Sequence, residues 1–137
     1  MADYKGYFAA SMKAGLDMSA RQYAIVTDLT ANDNYVNFGA TSTRYPLGIL
    51  QNKPKASGAA AEIALVGVAL CKMRSAVTAG SPIVMNASSF GVSATSSHGW
   101  PVGRALYGGS VNDIVPVVLC GGGSGKSRNS LCDLAVR

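Results

Sequence analysis

From Gln22 onward the apolar and β-branched residues come in short runs broken by Gly, Pro, Asn, Asp and Ser. The runs cover residues 22–29, 35–38, 47–51, 62–73, 83–85, 90–92, 102–107 and 114–120. Most are too short for an amphipathic helix and several alternate with period two, so each predicts a strand. Turn signals separate them: Asn32-Asp33-Asn34, the stretch from Asn52 through Pro54 to Gly58, Ala79-Gly80-Ser81-Pro82, and Asn86 to Ser89. Gly67 lies inside the 62–73 run, where a side-chain-free residue weakens a strand and marks a bend or a break. Strands do not alternate with helical segments, which argues against a parallel α/β sheet. The predicted class is all-β, a small antiparallel β-barrel or sandwich, with core positions at Ile25, Ile49, Ile63, Leu65, Val68, Val84, Val102, Leu106, Ile114 and Val118.

The two ends read differently. Residues 1–20 are expected to form an extended N-terminal arm that orders on a partner. Phe8, Met12 and Leu16 are four apart, which allows a helical turn, while Gly6 and Gly15 oppose it. Residues 21–120 are the β domain. Residues 121–137 form a Gly-rich linker and a flexible C-terminal tail carrying Leu131, Leu134 and Val136. An internal echo also stands out: Tyr45-Pro46-Leu47-Gly48-Ile49-Leu50 is repeated in type by Trp100-Pro101-Val102-Gly103-Arg104-Ala105-Leu106. Each echo is followed by a small-residue turn and then an acidic residue opening an apolar run, Glu62-Ile63 and Asp113-Ile114. Two related strand–turn–strand units with pseudo-symmetry are expected from it.

Charged residues are 14% of the chain, against a usual share of about 25%. The polar balance comes from Ser, Thr, Asn and Gly, so much of the surface is expected to lie against other subunits, since interface cores are depleted in charge. The net charge of +5 is spread in small groups (Lys53/Lys55, Lys72/Arg74, Lys126/Arg128) with no long basic run. Aromatics do not interleave with these groups as in strand-binding proteins, so nucleic acid is not the expected ligand. The longest uncharged apolar run, 63–71, is too short to span a bilayer as a helix. The N-terminal residues lack a signal-peptide pattern, and Cys71, Cys120 and Cys132 are odd in number and widely spaced. Both fit assembly in a reducing cytoplasm.

Candidate chemistry is sparse. Gly121-Gly122-Gly123-Ser124-Gly125-Lys126-Ser127 resembles a phosphate loop, but its first required glycine is Cys120, and too little chain follows to supply a magnesium ligand. The single histidine, His98, sits beside Ser97 in a small polar loop; with an acid such as Asp113 it would make a triad, yet nothing places a nucleophile elbow there. Isolated cysteines and one histidine give no closed metal site. The sequence therefore predicts no catalytic, cofactor or metal residues. A carbohydrate- or host-surface-binding β module is the alternative reading, and an exposed cleft holding Trp100 and Tyr107 would favour it.

The stretch from Thr43 to Leu119 resembles tailed-phage capsid decoration (cement, head-stabilising) proteins. The residues that carry the resemblance are Tyr45-Pro46-Leu47-Gly48-Ile49-Leu50-Gln51-Asn52-Lys53-Pro54, then Ala79-Gly80-Ser81-Pro82-Ile83, then Val102-Gly103-Arg104-Ala105-Leu106, and last Asp113-Ile114-Val115-Pro116-Val117-Val118-Leu119. The resemblance implies a compact β domain on the capsid exterior of the virion. Its expected partners are the major capsid protein and itself, as a homotrimer, with no membrane partner. Aromatic and Met anchors are the usual contact types. The expected contact residues are Tyr4, Tyr7, Phe8 and Met12 in the arm, Lys53 and Lys55 in the loop, and Leu131 and Leu134 in the tail.

Overall fold

The computed structural model describes residues 6–28, 33–38, 46–93 and 101–120. Among them the regular elements are all strands: β1 (Tyr7–Ala14), β2 (Ile25–Asp28), β3 (Tyr35–Phe38), β4 (Gly48–Leu50), β5 (Ala60–Lys72), β6 (Pro82–Met85), β7 (Gly91–Ser93), β8 (Gly103–Ala105) and β9 (Ile114–Cys120). They form one mixed sheet in the order β1-β3-β2-β4-β5-β9-β8-β6-β7, with β1 also paired to β5. The all-β expectation holds, and eight of the nine strands fall on the apolar runs.

The ninth, β1, lies within the segment read as an arm. It is integral to the sheet, antiparallel to β5 from Tyr7↔Gly67 to Lys13↔Ala60 and parallel to β3 at Ala14↔Val36. The helical turn suggested by Phe8, Met12 and Leu16 is not formed there. A spacing of four is also two periods of a strand, and the ladder with β5 supplies the backbone partners that a short isolated helix lacks.

The pairings make two closed circuits that share β5. The first runs β1-β3-β2-β4-β5 and back to β1. The second runs β5-β9-β8-β6-β7 and closes through a parallel bridge, Met73↔Gly91, just past the end of β5. The circuits match bond for bond. Leu47 N donates to Val26 O at 2.8 Å, as Val102 N does to Ile83 O at 2.8 Å. Tyr23 N donates to Leu50 O at 2.7 Å, as Gly80 N does to Ala105 O at 2.7 Å. Gly58 N donates to Ala14 O at 2.8 Å, as Asn112 N does to Met73 O at 2.8 Å. Three pairs of positive φ also coincide: Tyr23 (69°) with Gly80 (87°), Asn34 (65°) with Ser89 (72°), and Gly58 (86°) with Asn112 (72°). The echo in the sequence thus marks a duplicated five-strand unit. Gly48 and Gly103 occupy the same place in each copy. A Cβ on Gly48 would lie 2.2 Å from Ala64 O, and one on Gly103 would lie 2.1 Å from Val118 O.

The first apolar cluster draws Ala14, Val26, Val36, Leu50 and Ile63 from all five strands of the first circuit, with Met18 beside them. The second holds Met73, Val77, Ile83, Ala105, Val115 and Val117 at the matching positions, together with Ile25, Ile49 and Ala64 from the outer face of the first unit. Ile25 and Ile49 are fully buried. Each contributes about 1.5–3 kcal/mol to keeping the units together.

Ile25, Ile49, Ile63, Val84 and Val102 are core residues as expected. Leu65, Val68, Leu106 and Val118 are half-buried, and Ile114 is 41% exposed. Along β9 the odd residues Val115, Val117 and Leu119 face the core. Because both faces of Ile114-Val115-Pro116-Val117-Val118 are apolar, alternation alone does not reveal which one turns inward. Pro116 is tolerated inside this strand, opposite Leu70, because the matching residue of the first unit, Glu62, has no strand acceptor for its N–H either. Glu62 N donates to the Asn52 side chain at 3.0 Å instead.

The unit boundary falls at Gly67. The β1–β5 ladder slips by one residue between Phe8 and Ala9, and Gly67 follows at φ 103°. A Cβ there would lie 2.2 Å from Gly6 O and 2.8 Å from Tyr7 Cα. Gly67→Ala is therefore expected to lower unfolding free energy by about 2–4 kcal/mol, adding a clash to an unfavourable φ. Gly58→Ala, at φ 86° with nothing within 4 Å, should cost only about 1 kcal/mol. Urea unfolding of the two variants measures the difference; equal losses would contradict the close approach of β1.

Candidate functional site

Of the contact residues expected from sequence, the structure describes Tyr7, Phe8, Met12, Lys53 and Lys55; Tyr4, Leu131 and Leu134 lie outside the described residues, as do Ser97, His98, Trp100 and the glycine-rich segment after Cys120. Tyr7 and Phe8 are neighbours on β1 with opposite fates, because successive side chains of a strand leave by opposite faces. Tyr7 is half-buried against the second cluster, and its hydroxyl donates to Glu62 Oε2. Phe8 is 71% exposed and pairs directly with Val66, itself 52% exposed. Met12 packs against the first cluster.

Lys53 and Lys55 both project from the loop before β5 and are exposed. Lys55 lies near Asp17. The Asp17 carboxylate accepts from Ser19 N at 2.9 Å and Ser19 Oγ at 2.7 Å. These bonds, the backbone one first, hold its carboxyl below the usual range, and the charge of Lys55 adds to the effect. Lys53 instead lines a cavity of about 240 Å³ with Gln22, Tyr23, Lys72 and Ile114. A second hollow of about 400 Å³ is lined by Tyr107, Asp113, Ile114 and Pro116, so Ile114 borders both. Asp113 is used locally: its carboxylate accepts from Ser110 N at 2.8 Å.

The unit junction is where the duplication breaks. In the first unit Lys13 N donates to Asn34 O at 2.9 Å. The matching pair in the second unit, Lys72 N and Ser89 O, is exchanged for two bonds across the junction. Lys72 N donates to Tyr23 O at 3.0 Å, and Ile25 N donates to Ser89 O at 2.7 Å. Arg21 adds a side-chain clamp. It donates to Ser88 O and lies over the rings of Phe38 at 4.5 Å and Phe90 at 5.5 Å. Sequence reasoning passed over Arg21 and Tyr23 and met Lys72 only as part of a small basic group. The only signal for Tyr23 was its alignment with Gly80, and that alignment needs the whole duplication to be visible.

Among the described residues no group of three or more His, Cys, Asp or Glu is placed to hold a metal ion. Cys71 is wholly buried, and that burial pushes its thiol up to about 12. It stays neutral and packs as a small apolar side chain.

The fold and surface define a duplicated all-β module whose distinctive features are a junction cleft and an exposed apolar pair. No known family and no curated protein matches the chain. Among solved structures it is similar to the N base of the head fiber protein gp8.5 of bacteriophage phi29. The TM-score is 0.66 at 13% sequence identity, covering 92% of this chain and 98% of that one. At this identity the likeness is one of fold.

The Tyr7–Glu62 clasp gives a pH signature. The hydrogen bond to Glu62, then burial, raises the Tyr7 hydroxyl from 10.0 to about 12. A folded-state value above the unfolded one means the clasp stabilises fully below pH 10 and is lost as pH rises toward 12. Ultraviolet titration of tyrosinate is expected to show one late-ionising tyrosine that moves toward 10 in Glu62→Gln. An unchanged titration in that variant would rule the clasp out.

Proposed function

We propose that the protein is a structural virion component, with no enzymatic role, that binds the outside of an assembled phage capsid and stabilises it by bridging major capsid protein subunits. The observation that carries this reading is the likeness of its fold, over 92% of the chain, to the base of a phage head fiber. The low share of charged residues and the Phe8–Val66 pair support it, since a large exposed aromatic beside an aliphatic is a typical interface anchor. The partners are the major capsid protein and further copies of the chain, in a homotrimer.

The physical task is to favour the assembled shell over its alternatives. A protein that binds only the expanded lattice stabilises it by mass action. Several joined copies multiply a weak contact into a durable one. A pair of β units locked at their junction suits that task, because little flexibility is lost on binding.

The purified protein is expected to co-sediment with mature, expanded capsids and not with unexpanded shells. Phe8→Ser should reduce the bound fraction with little change in unfolding midpoint, since Phe8 is exposed. Equal binding to both shells, or to neither, would contradict the proposal.

A further inference from the structure

We infer that the cleft between the two units, walled by Tyr23, Lys53, Lys72 and Ile114, takes an acidic, partly apolar peptide segment of a partner protein. The inference deepens the capsid-attachment reading and depends on it only for the partner's identity.

The first argument is a comparison of the two units. Tyr23 and Gly80 occupy the same position, with the same left-handed backbone and the same 2.7 Å bond to the last residue of a short strand, β4 or β8. The backbone there asks for glycine, and the second unit supplies it. A tyrosine at φ 69° carries backbone strain that a glycine would remove. The first unit nevertheless has a tyrosine, and its side chain lines the junction cavity. A backbone role does not explain that choice, whereas a surface role for the ring does.

The second argument is charge. Lys53 comes from the first unit and Lys72 from the second, and both line the cavity while no acidic residue among the described ones does. Among the described residues neither ammonium group has an ion-pair partner. Lys72 is held by the Phe90 ring, 5.4 Å from its centroid, which leaves its charge unneutralised. Asp17 and Glu62 are engaged elsewhere, Asp17 by Ser19 and Glu62 by Tyr7. Two lysines bordering one cavity favour a ligand that carries a carboxylate.

The third argument is the apolar wall. Ile114 is 41% exposed where the matching residue of the first unit is Ala60. Beside Tyr23 it offers a surface for an aliphatic side chain next to the carboxylate. Two lysines with an aliphatic wall suit a peptide better than a nucleic acid, which needs many phosphate contacts and stacking platforms.

The test is a titration of the isotope-labelled full chain, followed by amide and Tyr ring signals, with a capped hexapeptide alternating Glu and Leu. The controls are the same peptide with Gln for Glu and a short single-stranded oligonucleotide. Saturable shifts centred on Tyr23, Lys53, Lys72 and Ile114 are expected with the Glu peptide alone. Binding should weaken about fivefold as salt rises from low to physiological strength. It should be lost in Lys53→Glu/Lys72→Glu and reduced in Tyr23→Gly, a variant expected to be at least as stable as the parent. Absence of such shifts, equal binding of the Gln peptide, or tighter binding of the oligonucleotide at these residues would each overturn the inference. The outcome is independent of shell sedimentation: a protein that binds shells but not the peptide refutes the cleft alone, and one that binds the peptide but not shells refutes the capsid reading alone.

Discussion

One strand, β5, serves two masters, and the rest of the molecule is arranged around the way it does so. Its first half completes the first five-strand circuit and its second half opens the next. Each circuit must turn its apolar side chains to its own interior, and a strand of strict period two cannot satisfy both. The slip in the β1 ladder and the left-handed Gly67 reset the phase between Leu65 and Ala69. Ile63 therefore packs in the first cluster, and Ala69 and Cys71 in the second. Glycine is required because Gly6 and Tyr7 cross at a distance that leaves no room for a Cβ.

Duplication supplies two copies of a unit, and the asymmetry between them supplies the surface. At the junction one internal hydrogen bond is traded for two that tie the copies together, through Tyr23 O and Ile25 N. The second copy cannot pass this arrangement on. The residue matching Ile25 is Pro82, which has no N–H to donate. Proline at that position removes the donor, and the outer face around Pro82, Arg104 and Val118 is half-buried where the first copy is closed. Two of the positions at which the copies differ, Tyr23 against Gly80 and Ile114 against Ala60, line the cleft.

The strands were legible because short apolar runs between Gly, Pro and Asn turns have few other outcomes. The echo at Gly48 and Gly103 was legible because a close backbone approach tolerates only glycine. The remainder of the duplication was hidden by exchanges of volume. Leu50 and Ala14 of the first core are replaced by Ala105 and Met73 in the second, and Ala61 by Val115. Cores accept such swaps when total volume and pattern are kept. β1 escaped because its alternation mixes Ala, Ser, Met and Lys. The inward face of β9 escaped because both faces are apolar. The cleft could not be read from sequence at all: Tyr23, Lys53, Lys72 and Ile114 are far apart in the chain and meet only once both units are in place.

The proposed bridging role would gain from rigidity between the protein's own parts, since freedom retained in the free state must be given up on binding. The shared strand and the exchanged hydrogen bonds provide that rigidity, and they make the two units a single cooperative body. Scanning calorimetry of the full chain tests this most directly. One transition is expected, with calorimetric and van't Hoff enthalpies equal. Two resolved transitions, each with the enthalpy of half the chain, would contradict the account.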